Sequence, residues 1–241
     1  YIELDGDPLK NLDAFEQGYT DVINTTITSV GSNMFEAAVF GKQQFYKEHP
    51  EAVGRMNITV LDSGTYTLGY GYPIVEASKM IKAGKSAEEI TAWLDDFYAT
   101  VEIVFAAYSL EYARKSGRIP AASAFVGDVL GLRPIISIVD GVTTVVEKVR
   151  GDKNVVPHIV DYAYGRAADK KAPTAVICGS VEQYGDDIHK AVAKKFGHAP
   201  KARYLAGASI AINSGPKVAG VIVRGEKRIN TRAREQDFIR G

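Results

Sequence analysis

The chain has 241 residues, 29 Lys+Arg against 29 Asp+Glu, 46% hydrophobic and 24% charged residues. This near-average composition excludes collagenous, disordered and disulfide-scaffold classes, and zero net charge removes the electrostatic footprint of a nucleic-acid binder. No apolar run approaches the ~20 residues of a membrane span; the longest, 135–146, is broken by Asp140 and Gly141. The single cysteine, Cys178, leaves no internal disulfide and suits a reducing compartment. The opening residues are acidic, lack the pattern of a secretory signal and begin with Tyr. The expectation is a cytoplasmic protein whose natural start lies upstream.

Residues 21–28 (DVINTTIT) read as a buried strand, rich in β-branched side chains. After the break at 29–32, Phe35, Ala38, Val39, Lys42 and Phe45 have helical spacing up to about Glu48. A second strand, 57–61, leads to Asp62-Ser63-Gly64 and a helix over 68–83, closed by Gly84 as a C-terminal cap. Ser86 with Glu89 three residues on is a capping box for a helix carrying Ile90, Trp93, Leu94 and Phe97. A third strand, 101–107, follows. Strands alternating with helices of this length predict a parallel sheet.

After a helix at 110–115 the pattern changes. Residues 134–139 and 142–149 flank Asp140-Gly141, the dipeptide of a type I′ hairpin. A helix at 153–168, a strand at 174–178, a helix at 181–196 and strands at 202–205 and 219–223 complete the chain. A hairpin among helices predicts a mixed or antiparallel sheet. The expected fold is α/β with two domains: a parallel-sheet, three-layer N-terminal domain over 1–115, incomplete at its start, and a mixed-sheet α/β domain over 116–241. Residues 1–21 hold six acidic residues and one Lys, and 224–241 hold six basic and three acidic. The terminal stretch reads as a solvated tail or a basic contact surface.

Four segments are candidates for chemistry. Thr28-Ser29-Val30-Gly31-Ser32-Asn33 lies where a parallel strand gives way to a helix, the end at which open α/β sheets bind ligands. Helix N-terminal amides there suit a carboxylate or phosphate. Ser32 either caps the helix or offers its hydroxyl to an anion. Arg118, after Ser116-Gly117, reaches an anion with its planar fork or ties the fold together. In Glu147-Lys148-Val149-Arg150, alternation puts Lys148 and Arg150 on one face. Asn213-Ser214-Gly215-Pro216 reads as a tight turn. No metal-ligand spacing joins His49, His158, His189 and His198, and there is no G-x-S-x-G elbow or Walker A loop. Gly69-Tyr70-Gly71 lacks the third Gly of a dinucleotide fingerprint.

Together these segments resemble the DegV family. Residues 27–38 (ITSVGSNMFEAA) are similar to the family's I-S-S-x-L-S-G-T-Y-x-S-A, and Leu61-Asp62-Ser63 falls at its next strand end. Residues 110–119 are similar to L-E-Y-L-K-K-G-G-R-I, and 133–150 to K-P-I-x-x-x-x-D-G followed by L-E-K-V-R. The motifs keep their order from about residue 20 to about 224. The resemblance implies a two-domain protein of phospholipid metabolism that binds a long-chain fatty acid (C14–C18) in the interdomain cleft. It implies that the protein presents the carboxylate to a fatty acid kinase and performs no catalysis, with neither cofactor nor metal. On this basis Ser32, with Ser29, Asn33 and Arg118, meets the carboxylate. Asn213 and Ser214 form a pocket loop, and Arg150 docks the kinase. A Thr of the family's T-S-x-P-S loop falls before residue 1. Three departures stand out: Asn33 replaces Gly, Met34 replaces Thr, and Asn213-Ser214-Gly215-Pro216-Lys217 replaces H-T-G-P-G. The rival expectations are an acyl- or phosphoryl-transfer enzyme using the same cleft, and a lipid-independent regulatory interaction module.

Overall fold

The computed structural model describes residues 2–3, 8–123 and 131–238. The chain forms two compact units, Tyr1–Ala99 with Arg228–Gly241, and Thr100–Lys227.

The first unit is built on a three-stranded parallel sheet in the order β1 (Ile2–Glu3), β2 (Asp21–Thr26), β3 (Asn57–Asp62). Five of the six β2 residues are buried, as a strand covered on both faces requires. Val22 pairs with Ile58, and Asn24 with Val60. Val22, Ile58 and Val60 pack against helices α1 (Pro8–Glu16) and α2 (Met34–Glu48) through Ala14, Phe35, Ala38, Val39 and Phe45. On the other face, the Thr25 hydroxyl donates to that of Tyr98 (3.0 Å), the last residue of α4 (Ala87–Tyr98). Helices on both faces make the expected three layers. α3 (Leu68–Lys82) ends at Gly84 in the left-handed region (φ 78°). The capping box of α4 forms as predicted: Ser86 Oγ accepts from Glu89 N (3.2 Å) and Glu89 Oε2 from Ser86 N (2.9 Å).

The second unit holds a six-stranded mixed sheet. Its strands are β4 (Val101–Ala107), β5 (Leu132–Val139), β6 (Val142–Arg150), β7 (Ala175–Cys178), β8 (Ala202–Leu205) and β9 (Val218–Arg224), in the order β6-β5-β4-β9-β7-β8. Only β7 and β8 pair in parallel. The β5–β6 turn has φ 47° at Asp140 and 78° at Gly141, the two positive angles a type I′ turn needs. One face of the sheet (Val104, Ala106, Ile135, Val176, Val221) packs on α7 (Val155–Arg166) and α8 (Glu182–Phe196). The short helices are α5 (Glu111–Ser116), α6 (Pro120–Ser123) and α9 (Ala208–Ser214), with α5 packed against α9.

Four expectations change. The strand at 101–107 does not extend the parallel sheet; β4 is central in the mixed sheet, antiparallel to β5 and β9. The chain accordingly passes between units at Ala99/Thr100 rather than near residue 115, and its last residues belong to the first unit. These residues are not a solvated tail. The Arg232 side chain is 3% exposed and pairs with Asp95, and the Phe238 ring stands edge-on to Phe35 at 5.7 Å. Residues 239–241, part of the expected basic tail, lie outside the described residues. Lastly, residues 208–214, which include the expected turn residues Asn213 and Ser214, are helical.

Candidate functional site

The end of β2, the start of α2 and the end of β3 meet within the first unit. Thr28 is held by its amide to Thr65 O (3.0 Å), and its hydroxyl accepts from Val30 N (3.3 Å). Asp62, the buried last residue of β3, gathers the loop. Its Oδ1 accepts from Ser29 N (3.2 Å) and Gly64 N (2.9 Å), and its Oδ2 from Ser29 Oγ (2.6 Å) and Ala233 N (3.2 Å). A buried carboxylate requires such donors. Gly31 lies close against Tyr66: a Cβ there would stand 2.3 Å from the Tyr66 hydroxyl, so a larger residue would have to displace that ring.

Ser32 and Ser29 therefore differ in what they offer a ligand. The Ser29 hydroxyl spends its one hydrogen on Asp62, so Ser29 acts on the loop rather than on an anion. The half-buried Ser32 accepts from Met34 N (3.2 Å), which leaves its own hydrogen available. Asn33 is the N-terminal cap residue of α2, but its side chain makes no capping bond, and it is exposed. The backbone N–H groups of Ser32, Asn33, Phe35 and Glu36 find no acceptor among the described residues. Open amides, a free hydroxyl donor and the positive end of the helix dipole are the chemistry that suits a carboxylate or phosphate.

The other candidates fall in the second unit. Arg118 is exposed just beyond α5, which Gly117 (φ 65°) terminates, and its amide donates to Ser116 Oγ (3.3 Å). Arg150 ends β6 on the exposed side, with Lys148, while Val149 faces the core. That is the alternation expected. Glu147, on the Val149 side, is within 2.7 Å of His158 Nδ1. Asn213 Nδ2 donates to Ser209 O (2.8 Å) and the buried Ser214 Oγ to Ile210 O (3.0 Å), so both side chains close the last turn of α9. The Tyr112 ring lies against Gly215, where a Cβ would come within 2.9 Å of it.

Ser29, Ser32 and Asn33 are thus brought together, as are Asn213 and Ser214. Asp62 and the C-terminal residues that reach it lacked an assigned role in the sequence. An Asp at a strand end opposite a Ser-rich loop was the available signal for Asp62. Among the described residues no three His, Cys, Asp or Glu side chains converge as a metal site requires, and no helix is long and apolar enough to cross a membrane.

Known proteins were compared with this chain. The DegV family profile, described as an uncharacterised protein family, matches residues 8–226. A DegV domain-containing protein of Caldanaerobacter subterraneus subsp. tengcongensis is 28% identical over 218 residues, covering 89% of this chain and 75% of the relative. One from Clostridium acetobutylicum is 29% identical over 211 residues, 86% and 72% of the two chains. Among solved structures, a stearic acid-binding protein from Eubacterium ventriosum aligns with a TM-score of 0.76 at 24% identity, over 88% of this chain and 73% of that one. The Streptococcus pneumoniae fatty acid kinase (Fak) B3 protein, loaded with linoleic acid, aligns with a TM-score of 0.77 at 18% identity, over 93% and 78%. At these identities the structures establish the shared fold, and the profile establishes the lineage: the chain belongs to the DegV family.

Proposed function

We propose that this protein binds a long-chain fatty acid of C14–C18 and presents its carboxylate to a fatty acid kinase in the cytoplasm, without catalysing a reaction itself. The observation that carries the reading is Ser32. Its hydroxyl accepts from Met34 N and keeps its hydrogen for a ligand, beside unpartnered amides at the start of α2. The stearic acid-binding and linoleic acid-loaded structures of the same fold support a fatty acid as that ligand.

The physical requirements of such a binder are modest. Burial of a C16 chain at about 0.8 kcal/mol per methylene supplies ample gross affinity. The carboxylate must be paired, because burying it bare is prohibitive. Charge-assisted bonds from one hydroxyl and two or three amides meet that need. In this reading Ser29 sets the loop and Asn33 lends its free amide, while the family resemblance is what supports a part for Arg118, Asn213 and Ser214 of the second unit. Arg150, exposed on the edge strand β6, contacts the kinase.

Denaturing extraction of the purified protein followed by mass spectrometry tests the reading. One C14–C18 fatty acid per chain is expected. Ser32→Ala should retain about tenfold less palmitate, the loss of one hydrogen bond to a charged group. An empty protein that takes up neither palmitate nor oleate would overturn the assignment, and unchanged retention by Ser32→Ala would overturn the site.

A further inference from the structure

The family match ends at residue 226, yet the chain continues in an ordered path over the first unit. Arg228 N donates to Ala99 O (3.0 Å). Arg232 is buried, holds Asp95 and the Asn230 side chain (3.0 Å), and stacks over the Tyr98 ring at 5.7 Å. Glu235 then reaches β3: its Oε1 accepts from Val60 N (2.7 Å), while its Oε2 pairs with Lys42 Nζ (2.5 Å). Among the described residues, Val60 lies on the strand whose far edge pairs with no other strand, so Glu235 satisfies an edge donor that the sheet leaves open. Phe238 closes the path on Phe35, a core residue of α2. Between these anchors, Ala233 N donates to Asp62 Oδ2, beside the Ser29 hydroxyl on the same oxygen.

We propose that residues 228–238 form a positioning strap that fixes the Asp62 carboxylate, and through Ser29 the loop that presents Ser32 to the ligand. The proposal rests on the fatty-acid reading for its ligand but on geometry for its mechanism. Asp62 has two oxygens and four donors, three from its own neighbourhood and one from the strap. With Ala233 N in place, Oδ2 is held toward Ser29, and the loop 28–33 has one arrangement. Without it, Oδ2 keeps a single donor, the Ser29 hydroxyl, so the carboxylate is held less firmly, the bonds to Ser29 N and Ser29 Oγ weaken together, and Ser32 loses its fixed place at the helix start. Asp62 and Ala233 are positioning residues, since neither offers an atom to the ligand.

Two forms of the protein test this: a chain ending at Lys227, and the full chain with Ala233→Pro, which removes the donor while leaving the strap's anchors. Amide hydrogen exchange at Ser29 and Gly64, the two backbone donors to Asp62 outside the strap, is expected to quicken by about tenfold or more in both, with the exchange of second-unit strands unchanged. Palmitate retention should fall about tenfold, as for loss of a hydrogen bond to a charged group. Adding a peptide of residues 228–241 to the shortened chain should restore both. The loss should also be non-additive with Ser32→Ala, since both changes act on one contact. Unchanged exchange at Ser29 and Gly64 overturns the strap, as does quickened exchange with full palmitate retention. Losses that add to Ser32→Ala also overturn it, because they mark a general effect on stability. If the full-length protein holds no fatty acid while exchange at these amides responds to Ala233→Pro, the ligand reading falls and the strap stands.

Discussion

Glu102 exposes none of its side chain to water, and both its oxygens meet the Arg166 guanidinium, at 2.6 and 2.7 Å. The backbone closes over the pair at Gly225, where a Cβ would lie 2.3 Å from Glu102 Oε1. The hydrogen bond to Glu102 raises the Arg166 pKa further. This is a buried carboxylate with both oxygens on one guanidinium, so removing the arginine takes two charge-assisted hydrogen bonds from it. Arg166→Ala should cost about 3 kcal/mol, the lower end for a broken buried pair because the arginine is partly in water. Replacing both residues with Met should recover most of the loss. Urea denaturation of the wild type and the two variants measures it, and equal destabilisation of the single and double variants would contradict the account.

At the scale of elements, the α4 start shows local chemistry acting without help from the rest of the fold. Ser86 and Glu89 satisfy each other's amides, and Lys85 adds a 2.7 Å contact to Glu89. The hydrogen bond from Lys85, then that from the Ser86 amide, holds the Glu89 carboxyl below the usual carboxylate range. The folded value is depressed, so this contribution is present above the unfolded value of about 4.3 and is lost as pH falls through the lower folded value. Ser86→Ala should destabilise the first unit by about 1 kcal/mol near neutral pH. Thermal melts between pH 7 and 3 check both: the gap between wild type and Glu89→Ala should narrow on acidification, whereas the gap for Ser86→Ala should persist, because the backbone amide of residue 86 and Lys85 still donate to Glu89. The hairpin β5–β6 is equally local, since Asp140-Gly141 supplies the turn angles and β6 alternates exposed and half-buried positions beside the turn.

For the molecule as a whole, the proposed division of labour is that the first unit holds the head group and β6 of the second meets the kinase. Arg150→Ala should leave palmitate retention unchanged and reduce fatty acid phosphorylation in a reconstituted kinase assay by about tenfold, as for the loss of a charged contact at an interface. Loss of the lipid itself would refute the assignment of Arg150. The units are also unequal in connectivity. Unit two is one continuous stretch, whereas unit one is completed only when residues 228–238 return to it. Removing those residues therefore acts on the first unit, which makes the two units separable in a folding experiment.

The sequence by itself determined what depends on neighbours along the chain: the strand–loop–helix at 21–48, the Ser86 cap, the Asp140-Gly141 hairpin, the presence of the helices α7 and α8, and the ordered motifs that mark the family. The place of Ser32 just before a helix start was legible too, and its hydroxyl accepts from Met34 N there. Tertiary structure decided the partners. β4 is buried at all seven positions, so its apolar run carries no record of whether it joins a parallel or an antiparallel sheet. The C-terminal residues read as a solvated tail because they are charged, yet Arg232 and Glu235 are accommodated by Asp95, Val60 and Lys42, which lie 137, 175 and 193 residues away in sequence. Ser29 looked equivalent to Ser32 until Asp62, from another strand, took its hydrogen. Spacing reports which residues share a helix or strand face, but only the folded chain brings together a donor and an acceptor from distant segments.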